Sequence, residues 1–211
     1  MGGERRIRWV AKPLVFAAAL VPLAMLAWRA VNDGLGADPL AAITHATGDW
    51  ALRFVVITLA ITPLRRLSHW NWLIRFRRML GLYAFFYASV HFLIYVIADR
   101  FAGLEFRDGI VAWSTARALL ASIWEDVYKR PYITVGFIAL MTMVPLAITS
   151  TAGWIRRLGG RNWARLHRLI YLTGVAAVVH YWWLVKADIL HPAMYGSIVA
   201  ILLAVRLIPR A

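Results

Sequence analysis

Two histidines lie deep within apolar stretches of the chain and are the residues best suited to do chemistry. His91 stands in the segment ASVHFL and His180 in the segment AVVHYW. An ionisable side chain is costly inside an apolar span, so each is by default a candidate functional residue. The chain has no cysteine, which excludes disulfides, thiolate metal sites and iron–sulfur clusters. Any metal chemistry therefore falls to the histidines.

The spacing of these two histidines from the preceding arginines indicates that they share one depth. His91 follows Arg78 by 13 residues and His180 follows Arg168 by 12, or about 20 and 18 Å along a helix axis. Two neutral imidazoles that face each other at equal height provide both axial nitrogens for one haem iron, as in an electron-transferring b-type cytochrome. Small residues nearby leave room for a flat macrocycle or serve as ordinary helix-packing positions: Ala84, Ala88, Ala176 and Ala177.

A different class of function uses the same residues. Buried histidines also act as proton relays, so His91, His180 and Arg53 are compatible with a small transporter or a proton-conducting protein. Red colour on purification distinguishes a haem protein from a relay.

A third histidine, His167, opens the fifth apolar stretch, 13 residues before His180. It is a candidate ligand of a second haem near the cytoplasmic face, a ligand of a different cofactor, or a hydrated histidine at the interface. Thirteen residues turn an ideal helix through about 220°, so the two histidines share a face only if the helix start is irregular. His45, His69 and His191 fall in or beside predicted loops, and we expect no cofactor role for them.

These histidines need a membrane helix bundle to position them. Of the 211 residues, 62% are hydrophobic and 16% are charged, which is too apolar for an ordinary soluble domain. At about 20 residues per transmembrane helix, the length accommodates six spans and excludes an attached nucleotide-binding domain. We predict an all-α membrane protein, a single domain over residues 1–211, with six transmembrane helices at these stretches: Pro13–Arg29, Trp50–Leu64, Met79–Ala98, Tyr132–Thr149, Leu166–Val185 and Ala193–Leu207.

The distribution of charge predicts the orientation of these spans. If the N-terminus is cytoplasmic, the inner segments carry sixteen basic residues and one acid, Glu4, whereas the outer segments carry eight basic residues and nine acids. This asymmetry follows the positive-inside rule for six spans with both termini in the cytoplasm. Topology and contact with anionic lipid account for the net charge of +14, so the charge gives no reason to expect nucleic-acid binding.

The longest predicted outer loop, Asp99–Pro131, contains an amphipathic pattern from Ile110 to Val127. Apolar residues recur there at helical spacing, with Arg117, Glu125 and Asp126 between them. The pattern predicts a helix on the outer membrane surface, either as a connector or as a docking face for an outer partner.

Six short motifs of this chain resemble those of a known family. They are TGDWALRF at 47–54, TPLRR at 62–66, RRMLGL at 77–82 ahead of His91, KRPYITVG at 129–136, PLAITS at 145–150, and WARLHRLIY at 163–171 ahead of His180. In combination they resemble the MsrQ (YedZ) family, the haem-binding membrane subunits of bacterial periplasmic methionine sulfoxide reductase systems. That family lies within the ferric-reductase-like transmembrane superfamily.

The resemblance implies an electron conduit in the bacterial inner membrane. Reducing equivalents would enter from a cytoplasmic flavin reductase or from quinol, pass through haem b, and leave to MsrP, a molybdopterin-dependent periplasmic reductase. That partner would carry the catalytic site and repair methionine sulfoxide in envelope proteins. The resemblance assigns His91, His167 and His180 as haem ligands. Electron delivery to ferric iron or oxygen is the alternative within the superfamily.

The resemblance also bears on further cofactors. The wider superfamily has four histidine ligands in two layers, whereas Arg77 and Arg78 stand here where the fourth is expected. Flavin mononucleotide (FMN) is associated with the family, and the arginine-rich inner loops are suited to hold its phosphate through charge-assisted hydrogen bonds.

Overall fold

The computed structural model describes residues 2–97, 113–185 and 187–208, and the regular elements in those residues are all helical. A π-helical turn at Ile7–Ala11 joins the first two helices, and a 3-10 turn at Asn71–Arg75 precedes the fourth. The all-α prediction is confirmed for this part of the chain. Its α-helices are α1 (Gly2–Arg6), α2 (Lys12–Val31), α3 (Pro39–Ser68), α4 (Arg77–Tyr95), α5 (Trp113–Lys129), α6 (Pro131–Ile148), α7 (Ala152–Leu166), α8 (Leu169–Leu184) and α9 (Leu190–Leu207).

Helix α3 is far longer than the stretch Trp50–Leu64 predicted for it. It has 30 residues and starts at a strong N-cap, where the Asp38 carboxylate accepts a hydrogen bond from the Ala41 N–H at 2.9 Å. Pro39 occupies the first helical position, where its missing N–H costs nothing. The short second span is therefore a wrong prediction, because cap chemistry extends the helix beyond its apolar part.

The added first turns of α3 contain polar residues but remain helical. The hydroxyls of Thr44 and Thr47 donate back to the carbonyls of Leu40 and Ile43, both at 2.8 Å, which satisfies them inside the helix. His45 lies in this segment, so its predicted place in or beside a loop is wrong.

The other five predicted stretches fall on α2, α4, α6, α8 and α9. Their predicted ends lie within three residues of the helix ends that the structure describes. Ala98, the predicted end of the third stretch, lies outside the described residues.

Helices α3, α4, α6 and α8 form the centre of the bundle as two antiparallel pairs, α3 with α4 and α6 with α8. Aromatic side chains fill the first pair: the Phe54 ring stacks on Tyr83 and Tyr87 with ring centroids 5.6 and 5.3 Å apart. The two tyrosine hydroxyls donate to backbone carbonyls of α2, at Phe16 (2.9 Å) and Ala19 (2.8 Å). These bonds attach the otherwise exposed α2 to the core.

Helix α9 packs against α3 and α8 and is fixed near its C-terminal end by arginines. The Arg206 guanidinium donates to the Leu59 carbonyl and lies over the Tyr171 ring, 5.2 Å from its centroid. Arg66 of α3 donates to the Val205 carbonyl at 3.3 Å. The central helices are thus held on both flanks.

Four helical segments of the described chain are long and apolar enough to cross a membrane. They are Glu4–Val31, Pro39–Ser68, Pro131–Ile148 and Leu190–Leu207. The histidine-bearing helices α4 and α8 are not among them: α8 has only 16 residues, and α4 begins with Arg77 and Arg78. The chain is a membrane protein, and the six-span topology stays a prediction.

The amphipathic stretch predicted from Ile110 to Val127 corresponds to α5, and its first three residues lie outside the described residues. Leu120 and Trp124 are exposed, whereas Asp126 and Val127 are buried. Asp126 was expected among the polar residues between the apolar positions. It instead accepts a hydrogen bond from the Tyr95 hydroxyl at 2.5 Å, because α5 turns this part of its surface toward the bundle.

Removing one tyrosine hydroxyl tests how α2 is attached. We expect Tyr87→Phe to lower the free energy of unfolding by about 1 kcal/mol, because the ring still fills its site while the bond to Ala19 is lost. Denaturant titration in detergent measures the change. Tyr128→Phe, at an 85% exposed position, is the control; equal stability of the two variants would contradict the attachment.

Candidate functional site

His91 of α4 and His180 of α8 face each other across a cavity of about 320 Å³. Their ring centroids are 6.2 Å apart and their ring planes cross at 78°. Both rings are half-buried and line the cavity from opposite sides. The structure therefore brings together the two histidines that the sequence places at one depth.

Hydrogen bonds to backbone carbonyls determine which nitrogen of each ring faces the cavity. Nδ1 of His91 lies 2.9 Å from the carbonyl oxygen of Thr44, and Nδ1 of His180 lies 2.7 Å from that of Tyr132. A carbonyl oxygen only accepts, so Nδ1 carries the proton and donates in both rings. Nε2 of each neutral imidazole therefore keeps its lone pair for a metal.

The wall of the cavity between His91 and His180, called the outer cavity from here on, is mainly apolar. It is formed by residues of α3, α4, α6 and α8, including Leu52, Phe92, Phe137 and Leu140. Of the four small residues singled out in the sequence, Ala88 and Ala177 line the cavity, whereas Ala84 and Ala176 are buried between helices. The first two leave room for a ligand and the other two serve helix packing.

Polar groups gather at one side of the same cavity. His45 and Asp49 of α3 lie there. Tyr95 at the end of α4, Arg130 between α5 and α6, and Tyr132 in the first turn of α6 lie there too. The cavity thus combines an apolar wall with a few polar side chains, the usual composition of a cofactor pocket.

The outer cavity fits a haem by its ligand chemistry. A ring-to-ring distance of 6.2 Å leaves space for two metal–imidazole bonds of about 2 Å each. Within the described residues, no three His, Asp or Glu side chains converge as a metal cluster. Two nitrogen ligands are what these side chains offer, and a porphyrin requires only two axial ligands.

His167 lies apart from that pair, in a second, inner cavity of about 200 Å³. It caps the end of α7, and the chain turns at His167 and Arg168 before α8 begins. The helix start is therefore irregular. Arg77, Arg78 and Trp163 share this cavity, and Met143 of α6 lines both cavities.

The hydrogen bonds of His167 differ from those of the outer pair. The Thr149 hydroxyl donates to the Pro145 carbonyl at 2.6 Å, so it accepts from Nε2–H of His167 at 3.1 Å. The ring stacks on Trp163 with centroids 3.9 Å apart. Burial, and then the charge of Arg77, lowers the pKa of His167 to about 4, so the ring is neutral at pH 7.

One hydroxyl of the inner cavity lacks a partner. Oγ1 of Thr58 is buried and makes no hydrogen bond within the part of the chain that the structure describes. A buried polar atom of this kind calls for an explanation, such as a bound water or ligand.

The remaining candidate residues contact neither the His91–His180 pair nor His167. His69 ends α3 in a left-handed conformation and is exposed, and His191 lies in the first turn of α9. Arg53 is held by Asp49 at 3.6 Å and by the Tyr195 hydroxyl at 3.1 Å.

The two backbone carbonyls are functional atoms that the sequence analysis missed. The carbonyls of Thr44 and Tyr132 orient the facing rings, yet every residue type has a carbonyl. Only the helix pairing shows which ones reach an imidazole, so no sequence pattern could have identified them.

Comparisons with known proteins show the family to which this chain is related. The family model "Ferric reductase like transmembrane component" matches residues 47–179. A protein of Xanthomonas oryzae pv. oryzae (strain MAFF 311018), named protein-methionine-sulfoxide reductase heme-binding subunit MsrQ, is 55% identical over 203 residues, covering 93% of this chain and 85% of its own. A protein of the same name from Herminiimonas arsenicoxydans is 49% identical over 197 residues, covering 92% and 83%.

The environment of His167 predicts a specific pH dependence of stability. The pKa falls from 6.5 to about 4 on folding, so between these values the unfolded chain binds more protons. This contribution to stability is complete above about pH 6.5 and decreases as the pH falls toward 4. We expect His167→Gln to lose less stability than wild type between pH 7 and 4, as measured by unfolding in detergent.

The control for this experiment is His69→Gln, because His69 is exposed at the end of α3. The control should keep the pH dependence of wild type. The same pH dependence in all three proteins would contradict the burial of a neutral His167.

Proposed function

This chain belongs to the MsrQ family of haem-binding subunits, within the ferric-reductase-like transmembrane family, and we propose that it carries electrons across the membrane through haem b. The haem would lie between His91 and His180. Its electrons would serve a periplasmic reductase that repairs methionine sulfoxide in envelope proteins.

The observation that carries this proposal is that the two facing rings have the same tautomer, with the proton on Nδ1. Each donates Nδ1–H to a carbonyl of a neighbouring helix, which leaves the Nε2 lone pairs of both rings available across 6.2 Å between the ring centroids. A ligating histidine characteristically donates its other N–H to a carbonyl or carboxylate, which fixes the tautomer and increases ligand basicity.

A haem held by His91 and His180 would supply one-electron chemistry. The chain's own residues orient and shield it. The Thr44 and Tyr132 carbonyls hold the two ring planes, and the apolar wall with Leu52, Phe137 and Leu140 excludes water. Because two imidazoles would hold the group, the site favours electron transfer over chemistry on oxygen.

The inner cavity is the proposed entry point for electrons. It combines the guanidinium groups of Arg77 and Arg78 with the unpartnered hydroxyl of Thr58, and it approaches the outer cavity through Met143. Such groups suit an oxygen-rich planar molecule, either FMN reduced by a cytoplasmic flavin reductase or a membrane quinol. A second haem at His167 has weaker support, because this cavity offers one imidazole and its Nε2–H is used by Thr149.

The proposed topology has six crossings of the bacterial inner membrane, with both termini in the cytoplasm and one domain over residues 1–211. Helices α4 and α8 cross within the bundle although they are shorter or less apolar than the four clear candidates. The arginines near His167 and at the start of α4 lie at the other end of these helices from the histidine pair. This arrangement supports the positive-inside orientation.

The proposed partner on the outer side is MsrP, a molybdopterin-dependent reductase. The name of the relatives describes a subunit of a protein-methionine-sulfoxide reductase, and the histidine pair lies toward the end of the bundle that carries α5. That position is suited to deliver electrons outward.

A proton relay through the same histidines is less well supported. A relay needs a continuous chain of groups that both donate and accept protons. His91 and His180 donate to backbone carbonyls, which only accept, and Arg53 is bound to Asp49 and Tyr195.

Substitution of the histidines tests the proposal. We expect His91→Ala and His180→Ala to lose the sharp b-type bands in dithionite-reduced minus oxidised spectra, because each removes one of the two imidazoles that would hold the haem. His167→Ala should keep the bands of the outer haem, and the ratio of haem to protein from pyridine haemochrome assays should show whether an inner haem is lost. His69→Ala is the control.

A folded wild-type protein without haem, from cells supplied with haem, would overturn the proposal. Wild-type spectra and haem content in both His91→Ala and His180→Ala would overturn it as well. Failure of reduced wild-type protein to pass electrons to MsrP would overturn the choice of partner alone.

A further inference from the structure

Both facing imidazoles rest against a glycine of the neighbouring helix. A Cβ added to Gly48 of α3 would lie 3.1 Å from Cε1 and Nδ1 of His91. A Cβ added to Gly136 of α6 would lie only 2.7 Å from Nδ1 of His180. Real Cβ atoms are essentially never found at the second distance, so an alanine there would displace the ring.

Each glycine stands four residues after the carbonyl that its histidine uses. Gly48 follows Thr44, and Gly136 follows Tyr132. In a helix, the carbonyl of residue i accepts from the N–H of residue i+4, and its second lone pair remains free. A missing Cβ at i+4 leaves space beside that lone pair, where the imidazole N–H can reach it.

We call each carbonyl and glycine that contact one imidazole a seat. The two seats have the same arrangement but lie in separate helix pairs. His91 lies 47 residues after its carbonyl partner, and His180 lies 48 residues after its own. One seat belongs to the α3–α4 pair and the other to the α6–α8 pair. Two independent occurrences of carbonyl, glycine and histidine in one relation point to a requirement of the site rather than to helix packing alone.

We propose that Gly48 and Gly136 are positioning residues of the haem site, an inference that rests on the proposed haem function. Their missing side chains let each imidazole sit against the neighbouring helix and donate Nδ1–H to the carbonyl one turn earlier. They thereby fix the nearly perpendicular ring planes, which cross at 78°.

This positioning has two consequences for the bound haem. A strong Nδ1–H···O=C bond increases ligand basicity, which favours the oxidised iron and lowers its midpoint potential. Perpendicular axial rings donate to two different iron d orbitals, which keeps these orbitals close in energy and gives the oxidised haem a large low-field g value. Weakening a seat should therefore raise the potential and decrease that g value.

Four glycine-to-alanine variants separate positioning from simple crowding. Gly136→Ala and Gly48→Ala alter the two seats. Gly174→Ala is the matched control for Gly48→Ala, because its added Cβ would also lie 3.1 Å from a side-chain atom, but from Leu59 rather than a histidine. Gly81→Ala is the neutral control, with its nearest contact at an ordinary 3.7 Å.

The measurements are the ratio of haem to protein, the midpoint potential, the low-field g value by electron paramagnetic resonance, and thermal stability in detergent. We expect Gly136→Ala to lower haem affinity by about 10- to 100-fold. Gly48→Ala should retain haem with a raised potential and a decreased g value. Gly174→Ala should lose stability as Gly48→Ala does but keep the wild-type potential and g value, and Gly81→Ala should keep the wild-type haem content, potential and g value.

Unchanged potential and g value in a haem-loaded Gly48→Ala protein would overturn the inference, as would equal changes in Gly174→Ala. If Gly136→Ala does not fold, the comparison of Gly48→Ala with Gly174→Ala still decides. Absence of haem from the wild-type protein would overturn the proposed function itself, so the two failures are distinguishable.

Discussion

A neutral imidazole has one N–H donor and one lone pair, and inside an apolar helix bundle the donor has to be satisfied by the protein. In this chain the donors of His91 and His180 go to the carbonyls of Thr44 and Tyr132. That choice turns the unprotonated nitrogens toward a shared apolar cavity. The chemistry available to the site depends on these two bonds more than on any other contact.

The remainder of the bundle keeps the two bonds in register. Each bond joins the two helices of one antiparallel pair. If one helix of a pair slid along its partner, the bond would break. Tyr83 and Tyr87 attach α2 to α4 through backbone carbonyls of α2, and Arg206 ties α9 to α3. These contacts use polar side chains, because in lipid the hydrophobic effect does not drive helices together.

The two cavities give their histidines different hydrogen-bond partners and different surroundings. The outer pair lies among apolar side chains and keeps Nε2 free, whereas His167 donates Nε2–H to Thr149 and stacks on Trp163. Arg77 and Arg78 line the inner cavity together with His167, whereas the wall of the outer cavity is mainly apolar. The outer cavity is therefore suited to a two-ligand haem and the inner cavity to an oxygen-rich partner molecule.

The sequence by itself determined the helical class, the membrane environment and the family, because apolar stretches and motifs depend on side-chain types alone, and it singled out His91 and His180 as candidate ligands. It misplaced the start of α3 and put His45 in or beside a loop, since the cap at Asp38 starts the helix before its continuous apolar part. Only the tertiary structure decided which carbonyls and glycines meet the imidazoles. Those contacts join residues 47 and 48 positions apart, and their geometry exists only once the helices have paired.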